Sequence, residues 1–166
     1  MEPVVRLTGA LHPRSGWTAD ECTIARALEV IGTRTTMLIL REAFYGTARF
    51  DEFAERVGMS ESVAAARLKA LVDEGMLERE PYREPGQRTR HQYRLTQKGA
   101  ELLPALVALQ RWGDRWLDEK GGLTELRHQD CGERVEVELR CAAGHKVEPG
   151  QIEMRARRPL RRARAS

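Results

Sequence analysis

The chain has few aromatic residues and few cysteines: aromatic side chains make up 5% of its 166 residues, and cysteine occurs 3 times. So little cysteine excludes a disulfide-stapled scaffold and suits a reducing compartment. No apolar run approaches the roughly 18 residues of a membrane-spanning helix. The N-terminus has no basic region followed by an apolar stretch, so no signal peptide is expected and the expected compartment is the cytoplasm. A phosphate loop, a nucleophile motif and paired carboxylates in a catalytic setting are all missing, so no enzyme is expected. No internal repeat is apparent.

What is present is enough for one globular domain with an appendage, since 41% of the residues are hydrophobic. The net charge of +3 is unevenly spread. Residues 151–166 hold 6 arginines against the single acid Glu153, which leaves 22 basic and 24 acidic residues in the rest. Nucleic-acid affinity would therefore need local patches or the tail, which could add phosphate attraction or be a solvated terminus.

Residues 1–20 read as an N-terminal arm with Trp17 as its anchor. A helix is expected from Asp20 to Gly32, with Ile24, Ala27, Leu28 and Ile31 at helical spacing. A second, apolar nearly all round, spans Thr35 to Tyr45 and should be central. A third covers Phe50 to Val57. Gly58 then breaks the chain, and Ser60 caps a helix that runs to Gly75. Met76 and Leu77 begin an extended run that turns at Pro85-Gly86 and returns from His91 to Leu95. A last helix is expected from Gln97 to Glu119, kinked at Pro104. Its second apolar face, Leu102, Leu109, Trp112 and Trp116, predicts a homodimer interface. A cleft beside Trp112, Trp116 and the second helix is where a small-molecule effector would sit. Residues 121–150 contain RVEVELR (134–140), alternating like a half-buried strand and predicting a small β-hairpin. Residues 151–166 should be a disordered arginine-rich tail.

Two short helices, a glycine turn, a capped helix and a basic ribbon predict a mainly α fold with a small β-wing, a winged helix-turn-helix. Its partner would be double-stranded DNA with a palindromic operator. On the 60–74 helix, Ser60 and Ser62 could bond a base or phosphate, Val63 and Ala66 could touch a thymine methyl, and Arg67 could reach a guanine edge or a phosphate. A solvated helix face is the competing reading. In the ribbon, Arg88, Arg90 and Arg94, with Arg83 across the turn, could meet phosphates or the minor groove. The nearby Glu78, Glu80 and Glu84 equally suit an ordinary hairpin. Arg49 could touch the DNA backbone or pair with a carboxylate inside the domain.

Several stretches resemble a known family. Cys22 followed by ALEVIGTR, then MLILREAFYG, ARFDEF, LKALVDEGMLERE and YRLTQKGAELLPAL ending in RWGDRW, cover over half the chain in order. Together they resemble the HxlR-type winged-helix transcriptional regulators, relatives of the MarR group. Thr23 stands where that family usually has proline, and Thr35 where it usually has tryptophan. The resemblance implies a dimeric, sequence-specific regulator spanning residues 21–120, with a C-terminal dimerisation helix. A repressor answering to a small effector or to oxidation is expected. The alternative is a winged-helix protein-interaction module that does not read DNA.

Cys22 sits in the first turn of a helix, where partial positive charge favours a thiolate, with Arg26 one turn on. Some members of the resembling family sense quinones or oxidants through a cysteine at this position. Asp20 and Glu21 oppose that chemistry, and a packing role is open. His128, Cys131, Cys141 and His145 have the spacing H-x2-C-x9-C-x3-H, which could hold a structural zinc in a small zinc-ribbon-like β appendage. Gly132 and Gly144 beside two of the ligands would permit tight knuckles. A hairpin without metal is the competing reading, and no cofactor is required for the regulator itself.

Overall fold

The computed structural model describes residues 3–12, 14, 22–83, 86 and 88–159. Trp17, Asp20, Glu84, Pro85 and the end of the tail from Leu160 lie outside the described residues. The chain divides into two units, residues 27–135, and residues 1–26 with 136–166.

The first unit holds the expected helices. After α1 (Thr23–Ile31), which bridges the boundary between units, comes α2 (Arg34–Phe44). Thr33 caps α2 by accepting a hydrogen bond from the Thr36 backbone N–H at 3.2 Å, so the helix starts just before Thr35. Helix α3 (Phe50–Val57) carries Asp51 and Glu52 in its first turn and Arg56 in its last, the arrangement its dipole favours. Gly58 ends it in the left-handed region at φ 68°. Ser60 then caps α4 (Glu61–Asp73), accepting from the Val63 N–H at 3.4 Å.

These helices close over one core. Ile39 and Leu40 of α2, Phe53 of α3, and Leu68 and Leu71 of α4 meet Met76 and Leu77 just beyond α4. The apolar character of α2 on most sides therefore reflects its central place. Its buried Glu42 is matched by polar partners: Arg41 donates to it at 2.6 Å and the Thr47 hydroxyl at 3.3 Å. An unpaired carboxylate in that position would carry a large desolvation cost.

The ribbon is an antiparallel pair of β2 (Leu77–Tyr82) and β3 (Arg90–Leu95), with Leu77 opposite Leu95 and Tyr82 opposite Arg90. Residues before α3 join its other edge, where the Tyr93 N–H donates to the Ala48 carbonyl at 2.8 Å and Arg49 bridges Gln92. Phe53 and Tyr93 pack edge to face, 6.2 Å between ring centroids, and lock the wing to the core.

The expected single helix from Gln97 to Glu119 is two helices, α5 (Gln97–Ala100) and α6 (Leu103–Trp116). Pro104 does not kink a helix but opens one, in the first turn of α6, where its missing N–H costs nothing. Gly99 lets α5 lie against the start of the wing: a Cβ there would be 2.2 Å from the Met76 carbonyl oxygen. The break also changes which residues α6 presents. Leu102 packs against the core, and Val107 is buried. Leu109, Trp112, Trp116 and Leu117 are exposed.

The expected strand over 134–140 is not formed. Among the described residues this region has only isolated bridges, Arg127 with Arg134 and Arg140 with Lys146. Its valines and leucine are exposed, so the alternation of charge and apolar residues does not build a ladder. Glu125 is held below the ordinary carboxylate range by hydrogen bonds from Arg127 and then Arg134, and Glu138 likewise by Lys146 and Arg140.

In the second unit β1 (Val5–Leu7) pairs in parallel with β4 (Ile152–Met154), Val5 opposite Ile152 and Leu7 opposite Met154. The arm and the start of the tail, expected to be without regular structure, therefore form a small sheet. Among the described residues no helix is long and apolar enough to cross a membrane.

Candidate nucleic-acid interface

Helix α4 is anchored by Ala64, Leu68 and Leu71, all buried. Helical spacing turns the residues between them outward. Ser62, Val63, Ala66 and Arg67 are all exposed, as their assignment to a reading face requires. Ala65, Lys69 and Ala70 are exposed beside them, and sequence reasoning had passed over all of these. Lys69 pairs with Asp73 one turn on, at 2.5 Å. The face is thus mostly methyl groups and hydroxyls, with Arg67 at one margin. Small side chains let a helix backbone sit deep in a groove about 12 Å wide. Ser60 is committed to the cap, and its hydroxyl also lies 3.1 Å from that of Ser62.

The wing separates its arginines into two kinds. Arg94 pairs with Glu80, whose carboxylate also accepts from Gln92 at 3.1 Å. That exposed ion pair distinguishes Arg94 from Arg88 and Arg90. Arg88 and Arg90 are exposed and have no acidic partner among the described residues. Arg83 is exposed as well and has a partner of its own. A recess of about 410 Å³ at the wing is lined by Phe50, Arg79, Tyr82, Arg90 and His91 among others. Arg79 and His91 had no distinguishing motif; His91 follows Arg90 directly, and the strand register, which sets Arg79 opposite Tyr93, brings Arg79 to the same recess.

For Arg49, expected either to touch the DNA backbone or to pair inside the domain, the structure shows contacts within the domain. Its guanidinium lies 3.5 Å from Asp51 at the nearest atoms and sits over the Tyr82 ring, 5.8 Å from the centroid. The side chain ties the start of α3 to the wing.

Beside α6 a cavity of about 840 Å³ is lined by Arg111, Trp112, Arg115, Trp116, Leu126 and Val135 among others. It opens between α6 and residues 120–135, not against α2 as the sequence suggested. The inward side of α6 is used up by packing on α2, which leaves the tryptophans facing the C-terminal segment.

Cys22 is half-buried and immediately precedes α1. The metal-ligand candidates lie in two tight turns. His128 Nδ1 is 3.3 Å from Cys131 Sγ in the first, and the Cys141 N–H donates to the His145 carbonyl at 3.0 Å in the second. Among the described residues no group of three or more histidine, cysteine, aspartate or glutamate side chains is gathered so as to hold a metal ion.

A capped second helix after a glycine turn, packed on a central helix and flanked by a basic two-stranded ribbon, defines a winged helix-turn-helix regulator. Residues 30–121 match the HxlR-like helix-turn-helix family, and the chain belongs to it. An uncharacterised HTH-type transcriptional regulator of Mycobacterium tuberculosis strain H37Rv is 42% identical over 120 residues, covering 72% of this chain and 75% of the relative. The crystal structure of PA1607, described as a candidate transcription factor, superposes with a TM-score of 0.74 at 31% identity, covering 91% of this chain and all 100% of the other. The redox regulator HypR in its reduced form gives a TM-score of 0.53 at 25% identity, covering 58% of this chain and 94% of that one. The protein is a DNA-binding transcriptional regulator and not an enzyme.

Proposed function

We propose that the chain acts in the cytoplasm as a homodimeric repressor that sets one α4 into each of two successive major grooves of a palindromic operator. The observation that carries this reading is the solvent face of α4, where Ser62, Val63, Ala66 and Arg67 stand exposed opposite the buried Ala64, Leu68 and Leu71. Ser62 and Arg67 would supply hydrogen bonds, and Val63 and Ala66 apolar contact with thymine methyls. Arg88 and Arg90, with Arg83, would bind phosphates beside the groove and set the register without reading sequence. Arg49 supports the wing from inside.

The dimer reading rests on the exposed apolar side of α6. Trp112 is 54% exposed, Trp116 63% and Leu109 53%, which is more apolar surface than a lone helix keeps in water without a partner. Leu102 is left out of this interface because it packs in the core. The effector reading rests on the cavity beside the same tryptophans, since a ligand there would bias the spacing of two α6-linked reading helices. An oxidation response would run through Cys22, in keeping with the redox regulator HypR among the similar structures.

Selection of bound fragments from random double-stranded DNA tests the reading. Enrichment of a two-fold symmetric motif supports it. Absence of any enrichment at low salt would reject specific reading by α4.

A further inference from the structure

The cavity beside α6 lies within the first unit, yet one of its walls lies outside the family match. That match ends at residue 121, whereas Thr124, Leu126 and Val135 line the side facing α6. The wall is tied down at three places. The Gln110 side-chain amide donates to the Thr124 carbonyl and hydroxyl, both at 3.2 Å. The Arg111 guanidinium donates to the Val135 carbonyl at 2.8 Å. Gly122, at φ 82°, runs so close to α6 that a Cβ there would fall 2.2 Å from an Asp114 carboxylate oxygen. A segment without a strand ladder is thus fixed on adjacent turns of one helix, and the recess is part of the fold.

Its volume of about 840 Å³ is in the range of pockets that take small organic molecules. The apolar lining is flat on the helix side, where Trp112 and Trp116 stand one turn apart, and aliphatic on the other, with Leu126 and Val135. The charged lining is unbalanced. Four cations, Arg111, Arg115, Lys120 and Arg134, share the cavity with the two acids Asp114 and Glu125. Most of these are engaged within the walls. Arg134 pairs with Glu125 at 3.0 Å, Arg111 is held by the Val135 carbonyl, and Asp114 is packed against Gly122. Arg115 and Lys120 are exposed and have no acidic partner among the described residues. The Arg115 guanidinium lies over the Trp116 ring, 5.0 Å from its centroid, which sets a cation beside an aromatic surface. A ligand with a flat ring and an acid group satisfies both features: its ring covers tryptophan while its carboxylate takes charge-assisted hydrogen bonds. A neutral ligand of the same shape would cover the two cations without supplying a counter-charge, and a cationic one would add repulsion.

We propose, resting on the effector reading above, that this cavity binds a small aromatic carboxylate, with its acid group on Arg115 and Lys120 and its ring against Trp112 and Trp116. The segment after residue 121 then serves as the outer wall of a ligand site on α6. Binding there reaches the DNA-reading helix through packed elements, since α6 lies on α2 and α2 meets α4 in the core.

The test is a titration of the full chain followed by the tryptophan indole N–H signals in nitrogen–proton correlation spectra, assigned with Trp112→Phe and Trp116→Phe. The probes share one ring system and differ in charge: indole-3-acetate, its neutral amide indole-3-acetamide, and the cation tryptamine. Indole-3-acetate should shift the Trp112 and Trp116 signals with a Kd of about 1 mM or below. The amide should bind at least about tenfold more weakly, and tryptamine more weakly still. Arg115→Gln and Lys120→Gln should each weaken indole-3-acetate by at least about fivefold while leaving the response to the amide unchanged, which separates lost charge from misfolding. Equal affinity for acid and amide would overturn the proposal. So would the absence of any shift at Trp112 and Trp116 with indole-3-acetate at about 10 mM. Operator affinity with and without saturating indole-3-acetate tests the underlying reading separately. Binding as expected with no change in operator affinity would uphold the ligand class and refute the effector role.

Discussion

Replacing Arg90 with alanine removes one cation from the wing of each subunit and disturbs little else. Arg90 opens β3 opposite Tyr82, is exposed, and has no acidic partner among the described residues. Glu80, diagonally across the ribbon, is engaged by Gln92 and Arg94. If Arg90 neutralises a phosphate, a dimer on a symmetric operator loses two such contacts at once. The slope of log K against log salt concentration should then shallow by about 1.8, from about 0.9 per phosphate on duplex DNA. Between 50 and 200 mM salt the wild type should lose about 12-fold more affinity than the variant. Fluorescence anisotropy on one operator over that range measures it. Arg94→Ala, whose guanidinium is held by Glu80, should change the slope clearly less. Equal slopes for wild type and Arg90→Ala would refute the phosphate contact. A change near 0.9 would refute the symmetric doubling.

Arg67→Ala should relax sequence preference at one position of each half-site, costing about 1–3 kcal/mol there, while leaving the salt slope nearly unchanged. Competition among single-base operator variants checks this, and a uniform loss over all variants would move Arg67 to the phosphate class. Leu109→Asp should convert the dimer to monomer in sedimentation velocity with the helical circular dichroism retained, and an unaltered dimer would send the interface elsewhere. Phe53→Ala removes a fully buried ring that also meets Tyr93, and should lower stability by about 3–5 kcal/mol in urea unfolding. A loss below about 1 kcal/mol would mean that the core described around Phe53 is not what holds the domain.

The parts of the fold legible in the sequence are those written in local code. Gly58 and Ser60 mark the turn and cap between α3 and α4 within a few residues of the helices they separate, and both act there as expected. The wing was readable because a charged turn joins two runs that pair in simple register. What escaped is non-local or ambiguous. The β1–β4 pairing joins strands of 3 residues each from opposite ends of the chain, too short to leave a period. Pro104 carries the same letter whether it kinks a helix or starts one, and only packing of Leu102 inward decides. At the site, the outward face of α4 followed from helical spacing alone. The division between Arg90 and Arg94 did not, because both lie diagonally across from Glu80, which faces Gln92, and only the folded side chains show that Arg94 takes its carboxylate.

Hydroxyl-radical footprinting of the selected operator, with the binding stoichiometry measured on the same fragment, tests the central claim most directly. Two chains in register on one palindrome should protect two half-sites centred about 34–36 Å apart on one face of the duplex, with flanking backbone protection that disappears in Arg90→Ala. A single protected half-site bound by one chain, or protection without defined register, would contradict a dimer that reads DNA through paired copies of α4.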